Sequence, residues 1–464
     1  MSSEKSGSPK RKTIIEPFKI KMVEPLPMTT REQRQEILKA AGYNLFTVAA
    51  KNVTFDFLTD SGTTAMSAKQ WAAMMVADES YAGSQSFERF DKAVKNVTGY
   101  NFVIPTHQGR AAERLLFSVL VKSGHKVPSN NHFDTTRANI EFMNAEAADL
   151  VIEEGKDPQN THPFKGNIDL KKLESFCREY QGKIPCGMLT ITNNTGGGQP
   201  VSLENIKGCS EIYHKYNIPF IIDVCRFAEN AFFIKDREPG QKNRSIKDIV
   251  AEIFSYADGC MMSAKKDGMV NIGGFIALKE SKWVDQLRNM LILTEGFPTY
   301  GGLAARDLEA LAVGLEEAMD ENYLSYRIAV SKYMAQGLNK AGIPTLQPPG
   351  GHAVYIDAKA FLPHIPPEQF PGQALVCELY LSEGIRACEI GSVMFGAKKD
   401  GKFIPSKMEL VRLAFPRRVY TQSHFDYILE GMADIVARKN ELKGLKMTYE
   451  PPFLRHFTAR FELL

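Results

Sequence analysis

Two apolar runs end in residues that could do covalent chemistry. IPFIID closes on Asp223, with Arg226 just beyond it, and CMMSAKKD carries Ser263, Lys265 and Lys266. A third polar set, Thr106-His107-Gln108-Gly109-Arg110, follows NFVIP and opens a helical pattern. In open α/β sheets, ligands bind at the carboxyl ends of the strands. The first N–H groups of a helix hold anions, so the Gln108–Arg110 turn suits a phosphate. A lysine able to form a Schiff base and an acid able to keep a pyridine nitrogen protonated together suit pyridoxal phosphate.

Taken singly, each feature is ordinary. Paired lysines usually sit in solvent, and an aspartate after a strand often caps a turn. Their joint order along one α/β chain is what points to the cofactor. Competing signatures are absent: there is no G-x-x-x-x-G-K-[ST] loop, no H-E-x-x-H and no G-x-S-x-G. Gly196-Gly197-Gly198 runs into Gln-Pro, which does not fit a dinucleotide fingerprint.

Positioning such residues needs a sheet. The pattern predicts strands over 102–105, 188–192, 219–223, 259–263 and 272–278, separated by helical stretches such as 203–216. That alternation predicts an α/β domain with a mostly parallel sheet covered on both faces. Leu308, Leu311, Leu315 and Met319 form one stripe within 302–341, which reads as a single long helical stretch. Beyond it, strands over 353–356, 385–389 and 409–415 and a helix over 423–439 predict a smaller α+β unit. The expected organisation is a basic tail (1–13), an N-terminal arm (14–50) with a helix over 32–41, a large domain (51–310), a connecting helix (311–341) and a small domain (342–464).

The chain has 464 residues, 44% hydrophobic and 24% charged, the balance of an ordinary globular protein, so a disordered or collagen-like chain is excluded. No apolar run is long enough to span a membrane. The net charge of +3 is carried entirely by the tail, where Lys5, Lys10, Arg11 and Lys12 outnumber Glu4. A neutral body argues against nucleic acid as a partner. Seven cysteines with no Cys-x-x-Cys spacing speak for a reducing compartment and, lacking an apolar leader, for the cytoplasm.

At these residues the sequence strongly resembles the β-eliminating lyases, a family of pyridoxal-phosphate enzymes. The motifs LTDSGT (58–63), PTHQGR (105–110), FKGNIDL (164–170), GGQPVS (197–202), FSYADG (254–259), MSAKKD (262–267), GGHA (350–353) and PRRVYT (416–421) carry the resemblance along nearly the whole chain. It implies the aspartate-aminotransferase-like fold, PLP fold type I, a homotetramer and a monovalent cation, usually potassium.

The resemblance also implies roles. Lys266 is similar to the lysine that binds pyridoxal 5'-phosphate and removes the α-proton. Asp223 would pair with the pyridine nitrogen and Phe133 stack on the ring. Gln108, Gly109, Arg110, Ser263 and Lys265 resemble the phosphate cradle, and Asn194 and Arg226 would face the phenolic oxygen. Arg412 resembles the clamp for the substrate carboxylate, Tyr81 the general acid, and Thr59 and Ser61 the site entrance. Gly62, Glu79 and Asn271 would match the cation site.

The family's branches release indole from tryptophan or phenol from tyrosine. Phenol-releasing members resemble this chain less at three places, where it has Ile390, Asp134 and His456. An apolar Ile390 suits a flat indole face, and Asp134 could accept the indole N–H. Arg137 and Asn271 look more like the phenol-releasing pattern. The reading is cleavage of L-tryptophan to indole, pyruvate and ammonium, with tyrosine cleavage as the alternative. A non-catalytic binding protein using its basic tail is the different class set against both.

Overall fold

A computed structural model describes residues 13–452 and 454–464; all but the last residue of the expected tail lie outside these. Five strands form the central sheet, in the order Phe102–Thr106, Gly274–Leu278, Gly259–Ser263, Phe220–Asp223, Gly187–Thr190. The last three run parallel, and Gly274–Leu278 runs against both of its neighbours. GMLT and FIID are buried at every position, as a sheet covered on both faces requires. Side chains alternate between two cores. Leu189, Ile222 and Met262 enter one, while Met188, Ile221 and Met261 enter the other.

A third core surrounds an antiparallel sheet in the order Cys388–Ile390, Leu410–Ala414, Ala353–Asp357. Helices Pro371–Glu383 and Gln422–Ala437 contribute Leu379, Ile428 and Ile435 to it. The N-terminal arm docks here. In helix Arg31–Ala40, Arg34 donates to Leu381 O at 2.9 Å and to Ser382 O at 2.6 Å, while Leu38, Leu45 and Val48 join the core.

Two expectations need correction. The 302–341 stretch is two helices, Ala305–Glu317 and Glu321–Lys340, because Asp320 breaks the run and caps the second by accepting from Tyr323 N at 2.8 Å. Leu308, Leu311 and Leu315 stay with the central sheet's core; Met334 and Leu338 reach the third core. Of these two helices, Glu321–Lys340 is the one that bridges both cores. The 385–389 strand also divides. Ile385–Arg386 pairs with Phe55–Asp56, where Arg386 Nε meets Asp56 Oδ1 at 3.0 Å, and Cys388–Ile390 pairs with Leu410–Ala414.

Candidate active site

Asp223 and Lys266 come together at the carboxyl ends of neighbouring strands. Asp223 is buried, and its carboxylate accepts from Cys225 N at Oδ1, 3.1 Å. Burial pushes its carboxyl up, and the charge of Lys266 opposes that shift. Lys266 is pushed down, chiefly by burial. The turn bearing it is tied on both sides. Lys265 O accepts from Gly62 N at 2.8 Å, and Asp267 accepts from Ala228 N and Glu229 N, in the first turn of helix Phe227–Arg237. The helix that follows Asp223 is thus capped by the residue that follows Lys266.

The Gln108–Arg110 turn opens helix Gly109–Leu120, whose amino end has no side-chain cap. A Cβ on Gly109 would lie 2.5 Å from Ser263 Cβ, so only glycine lets the two turns meet. Ser61, Gln108, Arg110, Ser263 and Lys265 line one cavity with Asp223 and Lys266. Uncapped N–H groups, two cations and two hydroxyls make an anion cradle. Phe133 lines the same cavity from the start of helix Asp134–Phe142. A flat, anionic, pyridine-bearing group fits this donor set.

Asn194 and Arg226 also line this cavity. Asn194 Oδ1 takes Tyr355 Oη at 2.8 Å, His352 Nε2 at 3.0 Å and Arg412 Nη1 at 3.3 Å. Arg412 Nη2 donates to Leu58 O at 2.9 Å, while its buried Nε has no partner among the described residues. Arg226 is held by Asp60 through Nε–Oδ2 at 3.0 Å and Nη2–Oδ1 at 2.7 Å. Arg417 joins Asp60 at 3.0 Å, Glu229 at 2.9 Å and Asp267 at 2.9 Å.

Of the residues expected to read a leaving group, none lines the cavity itself, though Asp134 lies between two that do, Phe133 and Thr135. His456 Nε2 stands 3.9 Å from Asp134 Oδ2. Burial, then Arg412 and Arg455, pushes His456 down to about 4, and burial pushes Asp134 up. Ile390 is buried in one apolar cluster with Tyr355, the residue bound to Asn194. Arg137 does not join them: its Nη2 holds Asp149 at 2.5 Å and its Nη1 donates to Ala147 O. Thr59 Oγ1 accepts from Ser61 N at 3.1 Å, shaping the bend from which Ser61 enters the lining.

Two expected residues lie apart within this chain. Tyr81 is 67% exposed, its ring packed against Phe297 and Tyr300. Glu79 accepts from Ala305 N at 2.9 Å and Arg306 N at 3.2 Å, capping that helix. Gly62 and Asn271 do meet, Asn271 Nδ2 donating to Gly62 O at 3.0 Å.

Sequence reasoning missed Glu113, His352, Tyr355 and the acids of the arginine network. Glu113 lines the cavity, buried, accepting from Thr136 Oγ1 at 2.8 Å and pushed up to about 7 by burial. A glutamate on the apolar side of GRAAERLLF was its only signal. Asp60 was legible as the sole acid of LTDSGT.

Residues 56–430 match the profile of the family described as "Beta-eliminating lyase". The chain belongs to the β-eliminating lyase family. This lyase is 60% identical over 453 residues to the tryptophanase of Hyphomonas neptunium, covering 98% of this chain and 100% of that one. It is 49% identical over 449 residues to the tyrosine phenol-lyase of Pasteurella multocida, covering 96% and 98%. In fold the lyase is similar to Sphingomonas wittichii serine palmitoyltransferase, at a TM-score of 0.58 and 12% identity, covering 88% and 96%. That likeness bears out the expected α/β fold class. No helix among the described residues is long and apolar enough to cross a membrane.

Proposed function

We propose that this lyase converts L-tryptophan and water to indole, pyruvate and ammonium, with pyridoxal 5'-phosphate as cofactor. The observation that carries the reading is the approach of His456 to Asp134, 3.9 Å apart, in a site where Ile390 is apolar and buried with Tyr355. A departing phenol oxygen calls for a cationic donor, and Ile390 supplies none. Identity to curated tryptophanases above that to tyrosine phenol-lyases supports the same choice.

The cofactor, when bound, supplies the electron sink that makes an amino acid's α-proton removable. Gln108, Gly109, Arg110, Ser263 and Lys265 would hold its phosphate, Phe133 its ring face, and Asn194 and Arg226 its phenolic oxygen. Asp223 keeps a proton on the pyridine nitrogen. Lys266 Nζ anchors the cofactor and takes the α-proton; its lowered basicity favours the free amine that this task needs. Arg412 binds the substrate carboxylate through its planar fork. Asp134 accepts the indole N–H; its carboxylate is oriented by Thr135 N at 2.6 Å, and His456 Nε2 stands 3.9 Å away.

Tyr81 is the proposed acid for indole, delivered from a second copy, since in its own chain it faces outward. Trp71, Met75, Val76 and Leu293 are exposed apolar residues that support an assembly, which we read as a homotetramer. Glu79 of one copy and Gly62 and Asn271 of another would hold a monovalent cation, potassium by preference. Seven unpaired buried thiols are consistent with the cytoplasm. Pyruvate release from tryptophan and from tyrosine, measured side by side, tests the reading: faster release from tyrosine overturns it.

A further inference from the structure

Two carboxylates that the reaction does not use lie immediately behind the leaving-group wall. Glu389 and Glu409, 4% and 2% exposed, flank Ile390 and its strand partner Leu410. Glu389 accepts from Val393 N at 3.0 Å and Met394 N at 3.1 Å. Glu409 accepts from Ser392 N at 3.0 Å and from the Ser392 hydroxyl, which itself accepts from Ser406 N at 2.9 Å. A Cβ built on Gly391 would lie 2.4 Å from Glu409 Oε2 and 2.7 Å from Glu389 Oε1. Those two distances together bound how far apart the oxygens can be.

No cation pairs with either acid among the described residues. The charged groups packed around them are exposed Lys359, Asp357 beside Leu410, and Arg455, which is engaged with Glu450 and with the carbonyls of Ser392, Val393 and Gly396. The first turn of helix Pro371–Glu383 approaches Glu389 at Gly372. Two like charges this close, buried without a counter-ion, cannot both ionise cheaply.

We propose that Glu389 and Glu409 share one proton and act as positioning residues, clamping the turn after Ile390 that shapes the leaving-group wall. The turn's other side is gripped by Arg455, whose neighbour His456 faces Asp134. Holding the turn therefore holds both Ile390 and His456. Burial and the neighbouring carboxylate push Glu389 up to about 8, so the clamp keeps its proton through neutral pH and loses it as pH rises further. Two bare carboxylates then repel and the wall loosens.

This role rests on the aromatic-elimination reading above, so the test has two arms. In the first, unfolding midpoints of cofactor-free wild type and Glu389→Gln are followed from about pH 5 to about pH 9. The native wild type holds a proton that its unfolded chain has released, so its stability falls relative to the glutamine variant by one proton's linkage. Parallel curves overturn the proposal whatever the substrate. In the second, kcat/KM for tryptophan and for S-ethylcysteine is measured across the same range. Wild type should lose tryptophan preference about fivefold or more above pH 8, and Glu389→Gln, neutral throughout, should lose that limb. A limb of equal size in both proteins overturns it. If tryptophan is not cleaved, the functional reading fails separately, and the aromatic amino acid that is cleaved takes its place in this arm. Glu409→Gln serves where Glu389→Gln does not fold.

Discussion

His456, near the end of the chain, places Nε2 3.9 Å from Oδ2 of Asp134, at the first turn of a helix on the central sheet's side. The approach links the two halves of the site, alongside the bonds that Tyr355, His352 and Arg412 make to Asn194. Asp134→Thr should spare exchange of the α-proton, which needs Lys266 and the cofactor, yet slow indole release about tenfold to a hundredfold, the loss of one hydrogen bond to a charged group. S-ethylcysteine, whose leaving group needs no ring proton, should be eliminated nearly as well as before. Equal loss on both substrates removes Asp134 from indole recognition.

Ile390→Arg sets an unpaired cation against an apolar surface. Desolvating it costs several kcal/mol, so tryptophan turnover should fall at least about a hundredfold. Phenol release need not appear, because Asp134 and His456 stay as they are. Steady-state rates with tryptophan and tyrosine check this, and undiminished tryptophan turnover places Ile390 outside the wall.

Burial, then Arg412 and Arg455, pushes His456 down to about 4 from the ordinary 6.5 of histidine. A depressed imidazole binds its proton less readily in the native state, so folding stability falls as pH drops from about 6.5 toward 4 and is unaffected above. His456→Phe should lose less stability than wild type across that window. Denaturant midpoints at pH 7 and pH 4 measure it, and identical drops in both proteins refute it.

Much of this was legible in the sequence for a simple reason. Strand ends are marked by an apolar run followed by a polar residue, so Asp223, Ser263 and the Gln108 turn announce themselves. The long stripe at Leu308–Met319 misled because helical periodicity continues across Asp320, a cap that propensity alone does not weigh against a good stripe. Glu113, Glu389 and Glu409 could not be seen because a lone acid within an apolar pattern looks the same whether solvated or buried. Tyr81 and Glu79 show the opposite limit: their types suit the chemistry, but a single chain does not bring them to the cavity.

Lys266→Ala should abolish turnover and the visible absorbance of lysine-bound cofactor, leaving the fold intact. Lys265 is the rival, since both line the cavity. Absorbance that persists in the Lys266 variant and vanishes in the Lys265 variant moves the assignment by one residue. Arg412→Lys should raise KM for tryptophan about tenfold or more with a smaller effect on kcat, because a point charge replaces a fork; an unchanged KM takes Arg412 out of carboxylate binding.

Arg417 is fully buried and is the only cation that touches Asp60, Glu229 and Asp267 together among the described residues. Removing one partner from a buried ion network leaves charge uncompensated, so Arg417→Met should cost about 3–5 kcal/mol. The loss should depend on pH. Burial and Glu229 push Asp267 up to about 6, and Arg417 is the largest influence against that rise. Without that guanidinium it rises further. At pH 5 the carboxyl is protonated in both proteins and the variant suffers less; at pH 8 it must be ionised in wild type but resists ionisation in the variant, and the gap widens. Urea unfolding at the two pH values measures the gap. Pairing Arg417→Met with Asp267→Asn should recover part of the loss at pH 8 and little at pH 5, because the amide stands in for the protonated acid. A loss of equal size at both pH values would mean that Asp267 does not carry the coupling between the Lys266 turn and the helix it caps.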